Sequence, residues 1–325
     1  MFLQLFLRKF ALSARGFIGM EPTHEKQSLL ERLDTLNKDE SPLKSKSDIL
    51  SQNACALAAG KCEHCRGYGI VFSPKGFFAN SELCECVRTC RQCQGAAMDV
   101  SSGTARPCHS PSPTIMVNLF NQANIPSRYA LARLENFKNF TGNVKEILDK
   151  VKCWLQFIGK NQSLNQQKGI IVEGGVGVGK TYLLTSIAKH LIFKGLSVKF
   201  VDFFQLITEI KAKYSLKQDV DESILNPLLK VDVLLIDELG KGRRTNFEQT
   251  IIDQLVMGRY NQQKIIIAST NCSLENVVTN IDPSDFHNFP TLKAAVGERI
   301  FSRLSETCYF WKMEGDDYRY RDRKG

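Results

Sequence analysis

The residues best suited to chemistry begin with Gly174-Gly175-Val176-Gly177-Val178-Gly179-Lys180-Thr181, which fits the pattern G-x-x-x-x-G-K-[ST] with Gly174 and Gly179 as its fixed glycines. A backbone that wraps a triphosphate must turn several N–H groups inward, with unusual dihedrals and no space for side chains. Gly174, Gly175, Gly177 and Gly179 allow this, while Val176 and Val178 occupy the variable positions. Lys180 is spaced to reach the β- and γ-phosphates and Thr181 to ligate Mg²⁺, and the N-terminus of the following helix adds its positive end. The alternative is a glycine-rich turn that binds nothing. It is disfavoured by the apolar run Gly169-Ile170-Ile171-Val172 before the loop and the helical pattern from Tyr182 after it.

A second group of polar residues closes apolar runs. Val231-Asp232-Val233-Leu234-Leu235-Ile236 ends in Asp237-Glu238, and so nearly continuous a run belongs at the centre of a parallel sheet, buried on both faces. Acids at the C-terminal end of such a strand stand where α/β sheets bind ligands. Asp237 fits the role of holding Mg²⁺ through water, and Glu238 that of polarising the attacking water. Lys264-Ile265-Ile266-Ile267-Ala268-Ser269-Thr270-Asn271 repeats the pattern, with Asn271 suited to orienting that water. Arg299 and Arg303, four apart, share one helical face.

The third group is sulfur. Six of eleven cysteines lie in Cys62-Glu63-His64-Cys65, Cys84-Glu85-Cys86 and Cys90-Arg91-Gln92-Cys93. Two thiolates two residues apart grip one tetrahedral ion when a tight turn follows, and Gly67 and Gly95 suit such knuckles. Four of the six are expected to bind one structural Zn²⁺: Cys62 and Cys65 with either Cys84 and Cys86 or Cys90 and Cys93. His64 is expected to be exposed, and a closed Cys₄ site disfavours catalytic zinc. Cys55, Cys108, Cys153, Cys272 and Cys308 are scattered and read as small core residues. Clustered pairs of this kind point to a reducing compartment.

Periodicity and breakers supply the elements that must position these groups. Helices are expected over 21–37, 47–59, 142–158, 181–194, 203–214, 222–229, 247–260 and 291–305. Strands are expected at the start of the glycine loop and over 197–202, 231–238, 264–271 and 307–312. The chain thus divides into an extension over 1–19, a helical and cysteine-rich module over 20–95, a Pro- and Ser-containing linker over 96–117, and an α/β domain over 118–325.

The 325 residues, 43% hydrophobic, suffice for one large core and a smaller module. A net charge of +9 is compatible with an acidic partner such as nucleic acid. Met1 to Met20 contain no acid, and their apolar run is interrupted at Gln4 and ended by Arg8-Lys9, too short for a membrane span. Met20 reads as the start, with a basic amphipathic arm or an organellar targeting segment as alternatives. No later segment approaches a membrane span, so a cytoplasmic protein is expected.

In this order and spacing, GGVGVGKT, VDVLLIDELG, IIIASTN and GERIFSRLSE resemble the AAA+ ATPase domain of the DnaC/DnaI-type replicative helicase loaders and the related IstB transposition helper ATPases. The resemblance covers about residues 118–325. It implies a P-loop domain with a five-stranded parallel sheet in the ASCE arrangement and a reduced or absent helical lid. It implies ATP hydrolysis with Asn271 as sensor 1, Arg303 as an arginine finger offered to a neighbouring subunit, and Arg299 as a second basic contact. It further implies that the cysteine module serves binding to a replicative DNA helicase, although the extra Cys90-x-x-Cys93 knuckle departs from that pattern.

The function expected is helicase loading in DNA replication: ATP and Mg²⁺ assemble a ring or spiral on single-stranded DNA, and hydrolysis releases it. Lys211, Lys213, Tyr214, Lys241, Arg243 and Arg244 are candidate strand contacts. An IstB-like transposition helper is the alternative. A small-molecule P-loop kinase fits less well with Glu238 and the strand ending at Asn271.

Overall fold

Among the described residues short antiparallel strands come first, and cysteines sit in the turns that flank several of them. The computed structural model describes residues 55–319 except 92, 94, 97, 100–105, 109–111, 139–140, 159–163, 165–166, 217–218, 243–244 and 275–290. The expected extension over 1–19, the helix over 21–37, residues 47–54 of the next helix, and Arg243 and Arg244 lie outside the described residues. β1 (Ala56–Leu57) is followed by a hairpin of β2 (Ile70–Lys75) and β3 (Phe78–Leu83), and β4 (Arg88–Thr89) returns antiparallel to β1. β5 (Met98–Asp99) and β6 (Arg106–Pro107) pair antiparallel. The end of the helix expected over 47–59 is therefore extended. The Cys55 N–H donates to Gly95 O and the Cys55 carbonyl accepts from the Cys90 N–H, which commits the backbone across strands.

At its described positions the expected linker over 96–117 contains β5, β6 and the start of a helix. Pro113 opens helix α1 (Pro113–Gln122), where a missing N–H costs nothing and a fixed φ is already helical. α2 (Val144–Phe157) follows and buries one apolar stripe.

The remaining strands are β7 (Gly169–Gly174), β8 (Val198–Asp202), β9 (Val233–Asp237), β10 (Ile265–Thr270) and β11 (Cys308–Met313). They form one parallel sheet in the order β11-β7-β10-β9-β8, so the strand ending next to Asn271 lies between the glycine-loop strand and the acid strand. This is the five-stranded AAA+ P-loop arrangement. Helices α3 (Lys180–Phe193), α4 (Phe203–Ser215), α5 (Asn226–Lys230), α6 (Asn246–Asn261), α7 (Leu292–Val296) and α8 (Glu298–Thr307) complete it. Alternation sorts the strand residues: Ile171, Leu234, Ile236, Ile266 and Ala268 join one apolar cluster with α4 to α8, while Ile170, Leu235 and Ile267 are equally buried on the opposite side. Among the described residues no helical lid follows β11.

Two expected helices change form. The one over 222–229 begins as a wide π-turn at Asp221–Leu225 before α5, and Pro227, lacking an N–H, cannot continue the ordinary ladder across that point. The one over 291–305 breaks into α7 and α8 at Gly297, whose φ of 88° no helix accommodates.

Beneath the sheet's N-terminal end, Arg259 is fully buried, donating to the carbonyls of Leu228, Val231, Asp232 and Ile265 at 2.7–3.0 Å. One planar cation thereby joins α5, β9 and β10. Arg259→Met should lower unfolding free energy by about 3 kcal/mol, because it strands several buried acceptors. The expected readout is a lower urea midpoint at constant m-value; an unchanged midpoint would mean that other donors reach those carbonyls.

Candidate nucleotide site

The glycine loop links β7 to α3 and has the backbone its sequence requires. Gly179, at φ 109°, caps α3 without any side-chain hydrogen bond, so the helix begins with uncapped N–H groups aimed outward. A Cβ on Gly179 would fall 2.7 Å from Phe137 Cζ, and one on Gly177 would fall 1.9 Å from Asp317 Oδ1. The loop is thus enclosed by residues from both ends of the domain. Lys180 is 8% exposed and donates to the carbonyls of Gly174 (2.8 Å) and Gly175 (2.7 Å).

The acids and the asparagine arrive from the neighbouring strands. Asp237, the last residue of β9, accepts from Thr181 Oγ1 at 2.8 Å and from Ser269 Oγ on β10. Burial raises its pKa, against the lowering effect of those two hydroxyls. Glu238 follows in the left-handed region at φ 57°, its N–H donating to Ser269 Oγ at 3.0 Å and its carboxylate paired with Lys241. Asn271 lies one residue past β10, and its buried Oδ1 has no hydrogen-bond partner among the described residues. An orphaned buried acceptor at this position fits a site that is completed by a bound molecule and its water. Lys180, Thr181, Asp237, Glu238, Ser269 and Asn271 all border one cleft of about 810 Å³.

Several lining residues were not visible in the sequence reading. Arg128, Tyr129, Leu131 and Phe137 form one wall ahead of the sheet, where Phe137 and Tyr129 both meet the Tyr182 ring edge-on, at 5.3 and 6.4 Å. An apolar and aromatic wall beside a phosphate loop suits a nucleotide base. Tyr182 directly after the loop was the available signal. The polar tail contributes Tyr318 and Arg319: Tyr318 N–H donates to Gly177 O at 3.1 Å, and Arg319 grips Asp317 through Nε and Nη2 at 3.0 and 2.9 Å. Arg319 holds the Asp317 carboxyl below its ordinary pKa.

The two arginines of α8 stand apart from this cleft. Arg303 stacks over the Tyr260 ring at 4.6 Å, donates to the Glu306 carboxylate at 3.3 Å, and is not among the cleft's lining residues. Arg299 is exposed, 3.9 Å from Asp253. Of the candidate strand contacts, Lys211 pairs with Glu248 at 3.3 Å, Lys213 donates to Ser223 at 3.1 Å, and half-exposed Tyr214 meets Phe247 edge-on. Lys241 serves Glu238.

The cysteines resolve differently from the expectation of one site drawn from six ligands. Cys62, Cys65, Cys84 and Cys86 bring their sulfurs within 4.8 Å of one another, whereas Cys90 and Cys93 do not compete for that site and cluster instead with Cys55 and Cys108. The reason is the β2–β3 hairpin, which returns Cys84 onto Gly69 through an N–H···O bond of 2.9 Å and so delivers Cys84 and Cys86 to the first knuckle. The Cys65 N–H lowers the Cys62 thiol to about 7. His64 is exposed.

Burial pulls the Lys180 ammonium down to about 8, with Asp237 and Glu238 pulling the other way. A bound triphosphate favours the charged form, so above pH 8 binding must take up a proton. Affinity should fall by up to about tenfold per pH unit above 8. Calorimetric titration in buffers of different ionisation heat would register that proton, and Lys180→Arg should abolish the slope.

A family model described as IstB-like ATP binding protein matches residues 116–325. Replicative helicase loader DnaC of Buchnera aphidicola subsp. Schizaphis graminum is 26% identical over 206 residues, covering 63% of this chain and 76% of that protein. DnaC of Escherichia coli (strain K12) is 24% identical over 207 residues, again covering 63% and 76%. The crystal structure of the DnaC helicase loader aligns with a TM-score of 0.47 at 25% identity, over 57% of this chain and 98% of that one. Among the described residues, no helix is long and apolar enough to cross a membrane. The family match spans well over half the chain and contains the phosphate loop, both acids, Asn271 and Arg303; the chain belongs to the IstB-like ATP binding protein family.

Proposed function

We propose that this protein is an ATP-driven loader of a replicative DNA helicase, which hydrolyses ATP between subunits of a ring or spiral formed on single-stranded DNA. The observation that carries the reading is the division of charge: Lys180, Thr181, Asp237, Glu238 and Asn271 border one cleft, while Arg303 leans on Tyr260 outside it. The arginines that border the cleft are Arg128 and Arg319, the latter held by Asp317; on this reading the finger is instead Arg303 of a second subunit. The relatives named as helicase loaders support the client.

In this mechanism bound Mg²⁺ supplies charge neutralisation at the phosphate oxygens. Thr181 and Asp237 would hold it, their mutual 2.8 Å hydrogen bond fixing both oxygens at one place. Lys180 would turn from the loop carbonyls to the β- and γ-phosphates. Glu238 would polarise the attacking water once released from Lys241, and the Asn271 amide would fix that water's position. Arg303 of a neighbouring subunit would neutralise developing charge on the γ-phosphate, with Arg299 one turn earlier as a second cation. Lys211, Lys213 and Tyr214 on α4 would contact the strand. Cys62, Cys65, Cys84 and Cys86 would hold a structural Zn²⁺ that shapes the helicase-binding module.

Arg303→Ala should reduce DNA-stimulated turnover by about 10³-fold while leaving ATP binding intact. Mixing Arg303→Ala chains with Glu238→Gln chains should restore turnover, because the second variant brings the arginine that the first lacks. No recovery on mixing would overturn the shared site. For the client, Glu238→Gln held in ATP should retain a purified replicative helicase; retention of a transposase instead would favour the transposition-helper reading.

A further inference from the structure

Four of the seven cysteines outside the first set stand together, although only Cys90 and Cys93 share a motif in the sequence. Cys55 precedes β1, Cys90 and Cys93 follow β4, and Cys108 follows β6 inside the segment that reads as a linker. All four sulfurs lie within 4.8 Å of one another, with Cys90 Sγ and Cys108 Sγ 3.7 Å apart. Four thiolates at about 2.3 Å from one tetrahedral ion have sulfurs about 3.8 Å apart. A disulfide needs about 2.05 Å, so the separation is that of ligands sharing an ion.

The backbone around them is built as a binding turn. Cys55 N–H donates to Gly95 O at 3.0 Å, Cys90 N–H donates to Cys55 O at 3.0 Å, and Ala96 N–H closes onto Cys93 O at 2.8 Å. The β1–β4 pairing, with Ala56 opposite Thr89, continues so as to bring Cys55 opposite Cys90. The β5–β6 pairing folds the segment back and delivers Cys108 beneath the Cys90–Cys93 turn.

Packing alone does not account for this arrangement. β1, β4, β5 and β6 are two residues long, and two-residue ladders are not stable by themselves. The cluster they enclose consists, among the described residues, of Cys55, Cys90 and Cys93 with Cys108 against them, and includes no aliphatic side chain. Small folds without an apolar core hold together through a metal or another cross-link.

We propose that Cys55, Cys90, Cys93 and Cys108 form a second, closed Cys₄ site for a single thiophilic divalent ion of the zinc class. Sulfurs this close surround one ion rather than a multi-iron cluster. The two sites are nested: Cys55 and the trio Cys90, Cys93 and Cys108 bracket all four ligands of the first site in sequence. The second ion closes the base of the module and fixes the chain just before α1, so that the module is anchored where the ATPase domain begins.

The test is metal content of the full chain, expressed and purified under reducing conditions. Two equivalents of zinc per chain are expected. The double variant Cys55→Ser, Cys108→Ser should keep one equivalent, and Cys62→Ser, Cys65→Ser should keep the other. Cobalt reconstitution should give two equivalents of tetrahedral thiolate spectrum in the wild type and one in each variant. Cys108→His, which preserves a ligand, should restore the second equivalent should Cys108→Ser fail to fold. One equivalent in the wild type, iron in place of zinc, or a Cys90–Cys108 disulfide in the reduced-handled protein would each overturn the proposal.

Discussion

The nucleotide site depends on the placement of one buried carboxylate. Asp237 ends β9, accepts from Thr181 across the glycine loop and from Ser269 on the intervening strand, and so ties three segments of the sheet's C-terminal edge to one point. A carboxylate in that position, 6% exposed, carries a desolvation cost that only close donors offset. The strand order makes this possible. With β10 between β7 and β9, Ser269 lies beside Asp237 and also receives the Glu238 N–H, which sets the left-handed turn that aims Glu238 into the cleft. Were β7 and β9 direct neighbours, neither Ser269 nor Asn271 would stand between the phosphate loop and the acids.

Much of this edge was legible in the sequence because the parallel sheet writes itself in uninterrupted Ile, Leu and Val runs, each ending in the polar residue that the site uses. Glycine spacing marked the loop, and the turns after β9 and β10 were marked by Asp237-Glu238 and Asn271. What escaped were contacts between segments remote in sequence. Nothing in the spacing of Leu131 and Phe137 marks them as wall residues, and the Ala130 and Ala132 carbonyls beside Leu131 are held by Lys189 on α3. Asp317 and Arg319 read as a solvated tail, yet the chain returns from β11 directly over Gly177. Local breakers were also underestimated: Gly297 and Pro227 each interrupt an otherwise helical pattern.

Cysteine spacing was partly legible for a related reason. A CxxC pair signals a knuckle locally, but its partners are chosen by the fold between them. The β2–β3 hairpin has register Ile70 to Leu83, and this sends Cys84 and Cys86 back to Cys62 and Cys65. Cys55 and Cys108 read as solitary core residues in the sequence because their ladders, β1 with β4 and β5 with β6, are too short to leave any alternation there. The sheet is held by aliphatic burial on both faces, whereas the hairpin buries Ile70, Ala79 and Leu83 and has the cysteines in the turns at its ends.

These two parts nevertheless share a wall. Lys189 on α3 lies 4.6 Å from the Phe72 ring of the hairpin while its ammonium binds the carbonyls of Ala130 and Ala132, and burial lowers it to about 7. Tyr68 and Phe193 meet at a tilt, ring centroids 4.6 Å apart, along the same seam, and Phe78 bridges to Pro126 just before Tyr129 and Leu131 of the cleft. The segment that lines the nucleotide cleft on one side thus packs against the cysteine-flanked hairpin on the other. One layer of packed side chains therefore separates the cleft from the hairpin, and a change of volume in that layer is felt on both sides. The hairpin thus belongs to the same packed body as the sheet, sharing contacts with the segment that borders the cleft.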